Sequence, residues 1–118
     1  REKAKACVRK QLEVASWLGC DTILIVPGAV SVSFSPELGV TDYDIVYERS
    51  LAAVKELAKD AEHFKVSIGL ENVWNNFLLS PLEMRDFIDK VGSDYVGSYF
   101  DVGNVLYCGY PEQWIKIR

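Results

Sequence analysis

Thr22-Ile23-Leu24-Ile25-Val26, closed by Pro27-Gly28, carries the plainest structural signal in the chain. Every residue of this run except Leu24 is β-branched, and the run ends at two turn formers. It is too short for a helix and reads as a strand. The lack of polar alternation predicts burial on both faces, as in a parallel sheet. Two more segments share this character. Val66-Ser67-Ile68-Gly69-Leu70 ends at Glu71-Asn72, and Tyr95-Val96-Gly97-Ser98-Tyr99-Phe100 ends at Asp101. Helical periodicity fills the intervals. Arg1 to Leu18 places Cys7, Val8, Leu12, Ala15 and Leu18 on one stripe, and Gly19 is placed to stop it. Thr41-Asp42-Tyr43-Asp44 offers N-cap chemistry for a helix to about Phe64. Its inward stripe is Val46, Tyr47, Ser50, Leu51, Val54, Leu57, Ala58 and Ala61. Ser80-Pro81-Leu82-Glu83 reads as a cap, an N1 proline and a capping box for a helix to Val91, stopped by Gly92. Pro111 opens a fourth helix, and residues 29–42 and 73–79 read as loops.

The order α β α β α β α predicts parallel strands with right-handed crossovers, so the fold class is α/β. The parent architectures are a (β/α)8 barrel and a doubly wound open sheet. The chain has 118 residues, 49% hydrophobic and 25% charged, which excludes a disordered segment. Its longest apolar run, Ile23–Val26, is far below the roughly 20 residues of a membrane span. The net charge is −4, and basic residues alternate with acids. Neither a nucleic-acid partner nor a membrane surface is therefore expected. The three cysteines, Cys7, Cys20 and Cys108, lack CxxC spacing, which argues against a zinc ribbon. Cys7 and Cys20 read as buried thiols, and reduced cysteines fit a cytoplasmic location. Trp17 and Trp114 fit helix packing.

In α/β folds chemistry collects at the C-terminal ends of strands. Two of the three strands end there in a carboxylate, Glu71 and Asp101. An acid beside an apolar run is costly to bury without compensation, and a divalent metal, a catalytic proton or a basic partner would each supply it. The plainer alternative is that Asp101 caps the next turn and Glu71 pairs with a nearby Lys or Arg. Neither a phosphate-binding glycine pattern nor a nucleophile elbow is present. The single histidine, His63, falls near a helix C-terminus, where the dipole favours it. Trp74 lies in a loop three residues after Glu71, so its flat apolar face is a candidate surface for a sugar. Asn75 and Asn76 fit either hydroxyl contacts or loop shaping.

Leu70-Glu71-Asn72-Val73-Trp74-Asn75 and Phe100-Asp101-Val102-Gly103-Asn104-Val105 resemble the fifth and sixth strand ends of the xylose-isomerase-like TIM barrels. The nearest look is to the sugar-phosphate isomerase/epimerase group, which includes ketose 3-epimerases and hydroxypyruvate isomerases. Ile25-Val26-Pro27-Gly28 resembles the fourth strand end. The resemblance covers residues 1–118 and implies part of one barrel domain: three parallel strands, resembling strands four to six, with four helices.

The resemblance also implies roles. Glu71 would be a metal ligand and the catalytic acid/base, and Asp101 a second ligand. Asn104, Trp74 and Asn72 would contact substrate. The implied cofactor is Mn2+, Mg2+ or Co2+, with Zn2+ also used by such enzymes. The metal would polarise a substrate carbonyl while a carboxylate moves the adjacent proton. The implied partner is a small sugar or sugar phosphate, and homo-oligomers occur in the group. A metal-site histidine and a second glutamate would come from two later strands, so these residues alone are expected to be inactive. The alternatives are a catalytically silent sugar-binding relative and, more distantly, an abasic-site enzyme resembling endonuclease IV. That last relative has Asp-x-x-His where this chain has Asp101-Val102-Gly103-Asn104, and asparagine is a poor zinc ligand.

Overall fold

A computed structural model describes residues 1–117; Arg118, the last residue of the expected domain, lies outside them. The elements are α1 (Glu2–Leu18), β1 (Thr22–Ile25), α2 (Tyr43–Phe64), β2 (Ser67–Glu71), α3 (Pro81–Val91), β3 (Val96–Tyr99), α4 (Val102–Leu106) and α5 (Pro111–Ile117). The strands form one sheet in the order β1-β2-β3, with both pairings parallel. This is the α/β order expected, with two additions. Five α-helices stand among the described residues instead of four, because the loop after β3 winds into α4, and the loop after β1 holds one short 3-10 helix, Pro36–Leu38. Asp101 caps α4, its Oδ1 accepting from Asn104 N at 2.9 Å.

The register aligns Ile23, Ile68 and Val96, and one step on Ile25, Leu70 and Ser98. Alternation puts these residues on one face, against the helices. Ile68 and Leu70 are fully buried there, with Leu12 and Ala15 from α1, Val54, Leu57 and Ala61 from α2, and Met84 and Phe87 from α3. Phe77 and Phe87 form an aromatic cluster with Tyr43 and Tyr47, edge-on or tilted at 5.4–6.3 Å. Each fully buried side chain of this size contributes about 1.5–3 kcal/mol. Lys5–Glu56 at 2.6 Å and Arg9–Asp60 at 2.9 Å cross the α1–α2 seam. Ion pairs at a partly exposed seam contribute about 0–1 kcal/mol each.

Three expectations need correction. β1 is not buried on both faces: Leu24 and Val26 are exposed while Ile23 and Ile25 pack inward. β1 is an edge strand, and the described helices cover only one face of the sheet. Cys7 and Cys20 are exposed, as is Trp17, whose ring instead carries the Lys10 ammonium at 4.7 Å. The covered stripe of α1 is narrower than its apolar periodicity: Leu12 and Ala15 are buried and Val8 partly so, whereas Leu18 is out. Trp114 does pack, stacked on Phe100 at 6.0 Å.

The Ser80 cap forms, with Glu83 N donating to Ser80 Oγ at 3.2 Å. The reciprocal half differs from a capping box. The Glu83 carboxylate accepts from Leu79 N at 2.8 Å and from the Tyr43 hydroxyl. Asp42 sits at the N-cap position of α2 but makes no side-chain cap bond.

Candidate active site at the strand C-termini

Glu71 is the last residue of β2 and pairs in register with Tyr99, the last residue of β3. Partners in a parallel ladder point the same way, and Asp101 lies two extended residues beyond Tyr99. Glu71, Tyr99 and Asp101 therefore share the sheet face that the helices leave open. Neighbouring strands lie about 4.8 Å apart and two residues advance about 6.6 Å along a strand, so the two acids are diagonal neighbours at the strand ends. Gly69, on the same face, makes room for Tyr99: a Cβ there would lie 2.8 Å from the Tyr99 side chain.

The two carboxylates fare differently. Asp101 does cap the next turn, through Oδ1 alone. Glu71 pairs with no Lys or Arg among the described residues. The donor set they offer is all oxygen, which suits a hard divalent cation such as Mg2+ or Mn2+ better than a soft one. It is a partial set: no group of three or more His, Cys, Asp or Glu side chains comes together among the described residues. His63 lies in the last turn of α2, its ring edge-on to Phe64.

The three expected substrate contacts come together in the fold, joined by hydrogen bonds, but differ in what their side chains present. The Asn72 side chain is buried and turned onto protein. Its Nδ2 donates to Asp101 O at 2.9 Å and its Oδ1 accepts from Asp101 N at 2.8 Å. Both ends of the carboxamide are thus spent on the β3 terminus, where Asn72 straps the two strand ends together. Asn104 also turns inward, with Nδ2 donating to Asn72 O at 2.8 Å. Trp74 stays half exposed at the rim. Its indole N–H donates to Asn104 O at 3.2 Å, and its ring stands 5.3 Å from that of the exposed Tyr107.

The rim is held by its own loop. Asn75 is buried, with Nδ2 donating to Gly28 O at 2.6 Å and Oδ1 accepting from Phe77 N at 3.3 Å. Its backbone carbonyl accepts from Val30 N at 3.0 Å. The loop after β2 is thereby fixed to the loop after β1. Asn76 and Leu78 have φ of 52° and 53°, and Leu78 N donates to the Tyr43 hydroxyl at 3.1 Å. Burial, then the hydrogen bond to the Glu83 carboxylate, push the Tyr43 hydroxyl up to about 12. Tyr99 and Tyr107 were not among the expected site residues. Alternation back from Asp101 would have found Tyr99, whereas only the fold brings Tyr107 to Trp74.

A family model described as a xylose isomerase-like TIM barrel matches residues 1–118, the whole chain. The chain belongs to that family. A D-tagatose 3-epimerase-like protein superposes with a TM-score of 0.83 at 23% identity, covering 99% of this chain and 43% of that one. A D-psicose 3-epimerase crystallised in the presence of D-fructose gives 0.80 at 20% identity, over 92% and 38% of the two chains. An uncharacterized protein of Methanocaldococcus jannaschii is 24% identical over 98% of this chain and 39% of its own length. The chain thus spans about two fifths of these relatives. The three parallel strands with their helices are one part of a TIM barrel, and the open sheet face corresponds to the inside of such a barrel. None of the described helices is long and apolar enough to cross a membrane.

Proposed function

We propose that this chain belongs to a divalent-metal-dependent sugar or sugar-phosphate isomerase or epimerase. The carrying observation is the pair Glu71 and Asp101. They end adjacent parallel strands on one face of the sheet, and neither has an ion-pair partner among the described residues. The family match and the epimerases among the structural relatives favour this chemistry over other uses of two carboxylates.

Asp101 and Glu71 would hold the cation, Asp101 through the oxygen not used in the α4 cap. A bound divalent ion supplies Lewis-acid polarisation of a carbonyl and an adjacent hydroxyl oxygen. Glu71 would take the proton from the carbon beside that carbonyl and return it, acting as general base and then acid. Trp74 and Tyr107 would form an aromatic wall for the apolar face of the sugar. Asn72 and Asn104 would act on the protein side of the site.

The test uses the full-length protein with Mn2+ and a panel of ketoses and ketose phosphates in D2O. Exchange of deuterium into the carbon next to the carbonyl, followed by NMR, reads the proton transfer directly. Glu71→Gln should lower the exchange rate by about 10²–10⁴-fold while keeping part of the Mn2+ affinity. Asp101→Asn should mainly weaken Mn2+ binding. Exchange near the wild-type rate in Glu71→Gln would remove Glu71 from the chemistry. No exchange with any sugar by the intact protein would favour a silent sugar-binding barrel.

A further inference from the structure

Asn72, Asp101 and Asn104 form a closed ring of hydrogen bonds at the point where β2 and β3 end. The ladder stops at Glu71 and Tyr99. Beyond it, the Asn72 carboxamide serves as one more rung, bonded to both the N–H and the carbonyl of Asp101 at 2.8 and 2.9 Å. Asp101 Oδ1 then accepts from Asn104 N at 2.9 Å, and Asn104 Nδ2 returns to Asn72 O at 2.8 Å. The consequence falls on one carboxylate. The backbone of Asp101 is fixed through both of its polar groups, and its side chain through one oxygen. Oδ2 accepts no hydrogen bond from the described residues, so the ring leaves one oxygen of Asp101 free, on the sheet face that it shares with Glu71.

We infer that Asn72 is a positioning residue, which presents the free oxygen of Asp101 to a divalent cation shared with Glu71. The inference rests on the reading of Glu71 and Asp101 as metal ligands. It assigns Asn72 a role through Asp101 and none in touching substrate. A ligand that is oriented before binding loses less freedom when the ion arrives, and groups that orient metal ligands typically affect affinity by about 10–100-fold.

The experiment is a Mn2+ titration of the metal-free full-length protein, with free and bound ion followed by electron paramagnetic resonance. Asn72→Ala should weaken Mn2+ binding at least about tenfold and broaden the bound-ion signal, as a less defined ligand field would. Asn76→Gly serves as the control, since it removes one exposed hydrogen bond of the same loop without touching Asp101. It should leave Mn2+ affinity within about threefold of wild type, the limit of what indirect destabilisation explains. If Asn72→Ala fails to fold, Asn72→Ser decides, because it takes the carboxamide away from both Asp101 backbone groups while keeping a small polar side chain at the buried position. Weakened binding there supports the inference, and unchanged affinity and line shape overturn it. If Glu71→Gln and Asp101→Asn weaken Mn2+ binding while Asn72→Ala does not, the positioning role is wrong and the metal reading stands. If Glu71→Gln and Asp101→Asn bind Mn2+ like wild type, the metal reading fails and the positioning role falls with it.

Discussion

Asn75 is the residue on which the site's rim depends, and replacing it with alanine tests that claim quantitatively. The side chain is almost fully buried, at 4% exposure, and its carboxamide makes one bond in each direction. Asn75→Ala removes the donor to Gly28 O and the acceptor for Phe77 N. The bonds from Val30 N and Ser31 N survive, because they go to the Asn75 backbone carbonyl. Each buried group left without a partner costs about 1–3 kcal/mol. Phe77 N lies deep and should pay near the middle of that range, whereas water reaches the Gly28 carbonyl more easily. The expected loss is therefore about 2–4 kcal/mol. Asn76 next door supplies the contrast. Its side chain is exposed, bonds only Ser31 Oγ at 2.7 Å, and its φ of 52° favours glycine. Asn76→Gly should change stability by no more than about 0.5 kcal/mol, since lost bond and relieved strain offset. Urea unfolding followed by circular dichroism measures both variants, and amide exchange at Phe77 reports the broken bond. If Asn75→Ala costs under about 1 kcal/mol, or no more than Asn76→Gly, the loop is not held by this carboxamide.

Two other perturbations test the packing beneath the site. The raised Tyr43 value, about 12 in the fold against 10 ordinarily, means that Tyr43 contributes stability present below pH 10. That contribution is lost as pH rises through 12, so wild-type urea midpoints should fall between pH 10 and 12. Tyr43→Phe should start less stable at pH 8 and fall less steeply over the alkaline interval; an unchanged slope would refute the assignment. Gly28→Ala should cost about 1–3 kcal/mol by overpacking, because its Cβ would lie 2.4 Å from Ser50 Oγ and 3.0 Å from Val46 Cγ1. Adding Ser50→Ala should restore part of that loss, and strict additivity of the two changes would show that the Ser50 contact is not the cause.

Some features were legible because they depend on near neighbours along the chain. The three strands show in their apolar runs, and Ser80-Pro81 marks the start of α3 by capping chemistry alone. The inward stripe of α2 was correct because a helix of 22 residues repeats its pattern often enough to fix the buried face. The stripe of α1 was overestimated: periodicity shows which side is apolar but not how wide a partner covers it, so Cys7 and Leu18 are exposed. α4 was missed because five residues containing Gly103 have little helix propensity of their own, and it is the cap from Asp101 that organises them.

The places of Glu71 and Asp101 at strand ends were legible in the sequence, because a parallel strand announces its C-terminal end, and that end is where an α/β fold collects functional groups. The roles of the asparagines were not. Asn72 reaches a residue 29 positions away, and Asn75 one 47 positions away. A carboxamide at either place fits a substrate contact and a strap equally well until the partner backbone is in view. The sequence by itself determined the α/β order, which follows from local composition and spacing, and its strand-end motifs carried the resemblance to the family that matches the whole chain. Only the tertiary structure gave the partners of Asn72, Asn75 and Tyr107, because a hydrogen bond or an aromatic contact exists only where folding brings distant parts of the chain within about 3–6 Å.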